Sequence, residues 1–122
     1  MTVKPAYSYR STVLRVIDGD TVVLRVDLGF RLSVEVTVRL WGIDAPEVHG
    51  ATREAGMKAT ARLLTLCPVG SLVTLASKQL DKYGRSVGSV TTADGTDVGR
   101  ALVAEGLVAV RWAEDDPDRK GV

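Results

Sequence analysis

Residues 30–40 read FRLSVEVTVRL, and this stretch decides the fold. Apolar side chains occupy every second position, with polar or charged side chains between them. The apolar set is Phe30, Leu32, Val34, Val36, Val38 and Leu40. A period of two predicts a β-strand with one buried and one polar face. Arg39 belongs to the polar positions, so the pattern turns it away from the core, towards solvent or a ligand.

The segments before this strand predict its partners. Residues 21–28 form a strand with apolar side chains at alternate positions, and Asp27-Leu28-Gly29 has the turn chemistry that joins it to residues 30–40 in a hairpin. The Asp18-Gly19-Asp20 turn separates residues 21–28 from an earlier strand. The remaining predicted strands cover residues 9–17, 72–77 and 85–91.

Two helices complete the prediction. Thr52 caps the first, which ends at Pro68-Val69-Gly70, and its apolar face comprises Ala55, Ala59, Leu63 and Leu66. The second begins at Thr96 or Asp97 and stops at Gly106. This order predicts a β-barrel with helices (α+β). The specific expectation is an OB-fold, a five-stranded Greek-key barrel with one helix between strands 3 and 4 and a short helix after strand 5.

Chain length, net charge and cysteine content limit the class of protein that this sequence can encode. A chain of 122 residues is one domain with one core. Its formal net charge of +1 provides no large basic field, so a nucleic-acid binder of this composition must use a few placed charges. The single cysteine, Cys67, excludes an intrachain disulfide and is predicted to be a small buried hydrophobe at a helix end. The sequence shows no signal peptide and no membrane span, so we expect a cytoplasmic protein without membrane contact; a secreted precursor stays open as an alternative.

Carboxylates concentrate at two strand ends. Asp18 and Asp20 lie between the first two strands, and Asp44 and Glu47 follow the long strand. Two unit charges about 4 Å apart repel by roughly 4 kcal/mol at an effective dielectric near 20, and a cation relieves that repulsion. An all-oxygen ligand set favours calcium or magnesium over zinc, and position does not decide between those two. Solvated surface charge is the alternative reading of each acid.

Two arginines lie near the same strand ends. Arg39 is close to the end of the long strand, and Arg85 follows a Tyr83-Gly84 turn. A planar guanidinium suits bidentate contact with phosphate, although most arginines are surface residues without an individual role. The residues alone therefore leave a phosphate site as one option among several.

Three separate motifs in register, and a fourth stretch after them, resemble a known family. The motifs are Ile17–Thr21 (IDGDT), Val38–Glu47 (VRLWGIDAPE) and Asp81–Arg85 (DKYGR), and the fourth stretch is Ala101–Val108 (ALVAEGLV). Together they resemble the staphylococcal nuclease (thermonuclease) family over roughly residues 13–112. The resemblance implies an SNase-like OB-fold nuclease domain at residues 1–112. Residues 113–122 would be an acidic tail where the family's third helix is absent.

The resemblance also implies a function: calcium-dependent hydrolysis of DNA and RNA, with single strands preferred and phosphate left on the 3′ side. It makes Asp20 and Asp44 the carboxylate ligands of Ca²⁺ and the backbone carbonyl of Ala45 a third ligand. Asp18 would act on the ion through water. Glu47 would orient or deprotonate the attacking water.

The resemblance places Arg39 and Arg85 on the scissile phosphate, where they would stabilise the charge of its transition state. Lys82 and Tyr83 match positions near a nucleotide's terminal phosphate. Trp112 stands where the family often has a tyrosine beside the base, so it would either stack on the base or close the barrel's end.

Two departures from the family pattern add expectations. The loop at residues 48–53 is short, and its lone histidine, His49, is predicted to be a loop residue without a catalytic role. The absent third helix would uncover apolar surface, from which we derive a homodimer hypothesis. The rival functions are a non-cleaving nucleic-acid- or partner-binding module of the same family and an unrelated OB-fold scaffold.

Overall fold

The computed structural model describes residues 3, 6–80 and 86–111 of the chain. Within these ranges the strands are β1 Ser8–Asp18, β2 Thr21–Gly29, β3 Leu32–Leu40, β4 Ile43–Asp44, β5 Leu72–Leu80, β6 Ser86–Thr92 and β7 Ala109–Val110. The helices are α1 Arg53–Leu66 and α2 Val98–Ala104, and a short 3-10 helix, Gly50–Thr52, precedes α1. None of the helices in this part of the chain is long and apolar enough to cross a membrane.

Five strands close into a barrel in the order β1-β2-β3-β6-β5, with β5 pairing back to β1. All neighbours are antiparallel except β3 and β6, which are parallel. Helix α1 connects the third barrel strand to the fourth, and α2 follows the fifth. The predicted OB-fold barrel with two helices is therefore confirmed. Its interior is filled by fully buried side chains from strands and helices, among them Val13, Leu24, Leu40, Leu63 and Leu102.

The apolar side chains that alternate along β3 are buried only in the second half of the strand. Val38 and Leu40 are buried, whereas Val34, Leu32 and Phe30 are 42%, 60% and 95% exposed. The period of two identifies which side chains share a face, but not whether anything covers that face. The prediction that all six apolar residues are buried is wrong, because the tip of the β2–β3 hairpin extends beyond the hydrophobic core of the barrel.

The hairpin turn also lies later than predicted. Gly29, at a φ of 78°, ends β2 and pairs with Leu32, and the loop consists of Phe30 and Arg31 with φ of 56° and 62°. Two positive φ values in a two-residue loop are typical of a type I′ turn, whose twist matches the flanking strands. Asp27 supports the approach to the turn, since its Oδ1 accepts the Gly29 amide at 2.8 Å.

The helix ends differ in detail from prediction. Thr52 precedes α1, but its hydroxyl donates to the carbonyl of Glu47 at 2.8 Å and does not cap a helix amide. The buried residues of α1 are Gly56, Ala59 and Leu63, whereas Ala55, predicted on the same face, is exposed. Asp97 caps α2 by accepting the Arg100 amide at 3.1 Å.

Cys67 follows α1 directly and is fully buried, as predicted. Burial raises the pKa of its thiol to about 11.

A two-stranded sheet outside the barrel was not predicted from the sequence. It pairs β4 with β7, so that Ile43 lies opposite Val110 and Asp44 opposite Ala109. The Arg111 amide extends this pairing by donating to the Gly42 carbonyl at 2.7 Å. The segment that carries Asp44 is thereby fixed to the last described residues of the chain.

Candidate active site

The end of β3 and the β1–β2 turn meet through the barrel's own hydrogen bonding. Thr21 pairs with Arg39 in the β2–β3 register, and the Leu40 amide donates to the Asp20 carbonyl at 2.8 Å. The turn after β1 is therefore adjacent to the last residues of β3. The chain then passes through β4 into residues 45–49, which close the same end of the barrel.

These segments surround an open cleft of about 540 Å³, which we call the site cleft. It is lined by Ile17, Asp18, Asp20, Arg39, Asp44, Ala45, Pro46, Glu47, Val48 and His49. Every described residue for which the sequence predicts a catalytic or metal-binding role lies in this lining. The structure thus brings Asp20, Arg39, Asp44 and Glu47 together at one rim.

Asp20 is held by several hydrogen bonds. Its Oδ2 accepts the Ala45 amide at 2.8 Å and its Oδ1 accepts the Thr21 hydroxyl at 2.9 Å. Burial alone would raise the pKa of Asp20, but hydrogen bonds with Asp18 and the Ala45 amide oppose it. Thr21 and the positive charge of Arg39 act in the same direction, so the pKa of Asp20 lies below its ordinary value and the carboxylate stays ionised.

Asp18 behaves in the opposite way. Its Oδ1 accepts the Asp20 amide at 3.1 Å, which tightens the turn. Burial, followed by the side-chain hydrogen bond with Asp20, raises the pKa of Asp18 above its ordinary value. The two acids of this turn are therefore not equivalent, and Asp20 carries the more persistent charge.

Arg39 lies between the two predicted ligands. Its Nη2 is 3.8 Å from Asp20 Oδ2 and in direct contact with Asp44 Oδ1. Its side chain is only 13% exposed, so it is not free in solvent but packed into the carboxylates. A guanidinium has five N–H donors, and these contacts involve one of its nitrogens, which leaves donors for a further anion.

Asp44 has a second cationic partner that the sequence did not reveal. Arg111 Nε lies 3.0 Å from Asp44 Oδ2, and its Nη1 donates to Oδ1 at 3.4 Å. Arg111 is 67 residues from Asp44 in the chain and reaches it only through the β4–β7 pairing. A two-residue strand has no periodicity to detect, so no pattern in the sequence pointed to Arg111.

Glu47 is placed on the wall of the site cleft with its side chain 80% exposed. The Nε2 of His49 lies 3.9 Å from Glu47 Oε2. Glu47 therefore faces solvent at the mouth of the cleft, where a water molecule can reach it.

Two glycines allow the loops to approach α1. A Cβ on Gly19 would lie 2.6 Å from the Cβ of Ala59 and 2.8 Å from that of Ala45. A Cβ on Gly56 would lie 2.6 Å from the Glu47 carbonyl oxygen and 2.7 Å from that of Pro46. A real Cβ atom does not come this close to a non-bonded atom, so the positions of both acidic loops depend on the absence of side chains at Gly19 and Gly56.

The donor set fits a hard cation in its chemistry. Asp20 and Asp44 lie within 4 Å of the same Arg39 nitrogen, so their two carboxylates are close together, and the Ala45 amide donates to Asp20. Within the described residues no group of three or more His, Cys, Asp or Glu side chains is arranged to hold a metal ion. A cation would share Asp44 with Arg39 and Arg111.

Four residues with predicted roles fall outside the described ranges. They are Lys82, Tyr83, Arg85 and Trp112, and the predicted acidic tail at 113–122 is outside them as well. Their roles remain predictions from the resemblance.

Comparison with known proteins gives the family. The barrel with its two short helices is an OB-like fold, and the family described as "Staphylococcal nuclease homologue" matches residues 37–121. The chain therefore belongs to the staphylococcal nuclease family.

Curated relatives agree with this assignment. The chain is 36% identical to an uncharacterised endonuclease of Escherichia coli O157:H7, over 80% of this chain and 58% of that protein. It is 37% identical to the micrococcal nuclease of Shigella flexneri, over 70% and 45%. It is 35% identical to endonuclease YhcR of Bacillus subtilis (strain 168), over 90% and 10%. The chain thus spans between a tenth and about three fifths of the length of these relatives.

Proposed function

We propose that this protein is a calcium-dependent nuclease that hydrolyses phosphodiester bonds of DNA and RNA. The observation that carries the proposal is the position of Arg39 between Asp20 and Asp44 in a cleft that also contains Glu47. Membership of the family and the endonuclease names of its relatives support a nucleic-acid substrate.

Asp20, Asp44 and the carbonyl of Ala45 would hold the cation. Asp20 suits this task because its pKa is lowered, so that it remains an anion over a wide pH range. When bound, calcium would neutralise charge that develops on the phosphate oxygens. Asp18 orders the turn through the Asp20 amide and would contact the ion through water.

Glu47 would serve as the base. Its exposed carboxylate can accept a proton from a water molecule as the water oxygen forms a bond to phosphorus. The bond to the 5′ oxygen then breaks, and that oxygen takes a proton from solvent. The fragment that is joined to phosphorus through its 3′ oxygen keeps the phosphate as a 3′-phosphate.

Arg39 would bind the scissile phosphate with the N–H donors that its carboxylate contacts leave available. Its low exposure and two acidic neighbours fix its position before the substrate arrives, which favours stabilisation of a transition state over loose attraction. Arg85 is proposed as the second such arginine on the strength of the resemblance. A single strand is the preferred substrate in this proposal, because a flexible strand can lead one phosphodiester between the loops of the site cleft.

The proposal is tested by cleavage of a fluorescent single-stranded oligonucleotide with calcium, with magnesium and with chelator. We expect cleavage with calcium that chelator abolishes. Glu47→Gln should lower turnover by about 10²–10⁴-fold and Arg39→Ala by about 10³–10⁵-fold. Thermal melting of each variant provides the folding control. Cleavage that persists in chelator, or a folded Glu47→Gln protein with normal turnover, would contradict the proposal.

The same experiment distinguishes a nuclease from the rival hypothesis of a non-cleaving binding module. A non-cleaving binding module would hold the oligonucleotide in an anisotropy titration without cutting it under any of the three conditions. The retention of Asp20, Arg39, Asp44 and Glu47 in one cleft favours the enzyme, because simple binding of a polyanion does not need clustered carboxylates.

A further inference from the structure

A second cleft, of about 410 Å³, lies on the outer surface of the barrel near the β2–β3 hairpin. Three arginines line it, and we call it the arginine cleft; its lining is Arg10, Thr12, Arg25, Asp27, Arg31, Leu32, Ser33 and Leu72. The strand register explains why these residues meet, since Thr12 lies opposite both Arg25 and Leu72, and Asp27 lies opposite Ser33.

The arginines of this cleft have no acidic partner in the part of the chain that the structure describes. Among the described residues, no carboxylate lies within 4 Å of a guanidinium nitrogen of Arg10, Arg25 or Arg31. Asp27 instead accepts the Gly29 amide, and the nearby Glu35 pairs with Arg15 at 4.0 Å. The cleft thus presents three positive charges against one negative, in a chain whose formal net charge is only +1.

The arginine cleft shares a sheet face with the site cleft. Ser33 and Arg39 are both at outward positions of β3, because Val34, Val36, Val38 and Leu40 form the other face. Arg39 is six positions after Ser33 in the chain, which at about 3.3 Å per residue is roughly 20 Å of strand. A strand of nucleic acid with one phosphodiester at Arg39 can therefore follow this face to the arginine cleft.

We propose that Arg10, Arg25 and Arg31 form a second contact for the phosphate backbone of the nucleic acid that the site cleft cuts. The inference rests on the proposed function and adds to it a preference for long substrates. Unpaired guanidiniums suit phosphate oxygens, and the exposed Leu32 and Leu72 in the lining offer apolar contact to sugars or bases. The separation from Arg39 means that this contact acts on binding and not on the chemical step.

The test compares two triple variants with equal charge. One is Arg10→Gln, Arg25→Gln and Arg31→Gln. The matched control is Lys58→Gln, Arg62→Gln and Arg100→Gln, which removes three charges from the helices. Binding to a single strand of about 16 nucleotides, the upper end of the site size of an OB-fold, is measured by anisotropy in chelator over a range of salt concentrations. Cleavage of the same strand and of a dinucleotide is measured with calcium.

We expect the arginine-cleft variant to bind the long strand at least about tenfold more weakly than the control. Its log–log salt dependence should be shallower by about 2, for three lost phosphate contacts on a single strand. Its kcat/KM on the dinucleotide should stay unchanged, while that on the long strand falls. If both triple variants bind equally, bulk charge explains the effect and the proposal fails.

Further outcomes separate this inference from the proposed function. If no form cleaves DNA but the arginine-cleft variant alone loses binding, the proposed nuclease activity fails and the second contact stands. If polyglutamate competes as well as an oligonucleotide of equal charge, the cleft is a site for acidic protein and the inference is overturned. Loss of dinucleotide cleavage in a folded variant would likewise overturn it, because the arginines would then act on the site itself.

Discussion

Arg111 Nε lies 3.0 Å from Asp44 Oδ2, while Arg39 contacts the other oxygen of the same carboxylate. A predicted metal ligand is thus held between two guanidiniums, one nearly buried and one 57% exposed. Both arginines reduce the negative charge that a cation would meet at Asp44. On the proposed function, Arg111 would therefore compete with the cation for Asp44.

Arg111→Ala should increase affinity for calcium. The pair is more than a third exposed, and exposed ion pairs are worth about 0.2–1 kcal/mol, so we expect calcium to bind up to about fivefold more tightly. Isothermal titration calorimetry measures this without any nucleic acid. Arg100→Ala removes an exposed arginine that faces Asp97 at 3.9 Å and is the control. Equal or weaker calcium binding in Arg111→Ala would contradict the competitor role.

Gly56→Ala should damage both stability and turnover, although alanine normally favours a helix. Its Cβ would meet the Pro46 and Glu47 carbonyls, so the loop that carries Glu47 must move. We expect a loss of about 1–3 kcal/mol of unfolding free energy and, because a misplacement near 1 Å can cost about 10²-fold, a large fall in kcat.

Gly99→Ala is the matched control for that change. It lies in α2, and the nearest atom to its Cβ would be Asp97 Oδ1 at 3.6 Å, an ordinary contact. This variant should be neutral or stabilised by up to about 1 kcal/mol, with unchanged kcat. The same response from both variants, measured by denaturant unfolding and initial rates, would show that close packing of the loop on α1 does not position Glu47.

Phe30→Asn should stabilise the protein. Phe30 is 95% exposed and adopts a φ of 56°, so it loses no burial on replacement and gains a side chain that tolerates the left-handed region. The expected gain in unfolding free energy is up to about 1 kcal/mol, part of the roughly 1–2 kcal/mol that the left-handed region costs an ordinary side chain. Leu24→Ala, at a fully buried position, should instead cost about 2–5 kcal/mol. A comparable loss from Phe30→Asn would show that the hairpin tip is covered in solution.

Cys67 should resist modification in the folded protein. The thiolate is the reactive form, and burial both blocks access and raises the pKa of the thiol to about 11. At mildly alkaline pH a chromogenic disulfide reagent should therefore react only after unfolding, with a rate that follows the unfolding equilibrium. Rapid labelling under native conditions would contradict this burial.

The sequence predicted the barrel because its strands carry their own periodicity. The alternation of apolar and polar residues identified residues 36–40 and the strand that pairs with β3. Arg39 occupies one of the polar positions of that alternation, so its side chain was predicted to point away from the core. Alternation could not tell that Phe30 and Leu32 are exposed, since coverage depends on what packs against a face. The homodimer that would cover apolar surface stays a prediction, which sedimentation at micromolar concentration tests.

Only those residues of the candidate site that lie within the sequence motifs could be predicted. Turns and strand ends drew attention to Asp20, Asp44 and Glu47, the family resemblance supplied their predicted roles, and the structure places all three at one cleft. Arg111 was missed because its contact with Asp44 depends on a two-residue pairing between distant segments. The sequence also could not predict that the pKa of Asp18 is raised while that of Asp20 is lowered, since this difference arises from burial and hydrogen bonds.

The pairing of β4 with β7 sets the time at which the site can be assembled. A ribosome releases Asp18, Asp20, Arg39, Asp44 and Glu47 early, but the strand that fixes Asp44 emerges only at residues 109–110, followed by Arg111. A domain generally folds as a unit during synthesis, so a nascent chain that still lacks residues 109–111 holds the acidic residues without the β4–β7 pairing. On the proposed function, the nuclease would become active only after residues 109–111 have been synthesised and β7 has paired with β4.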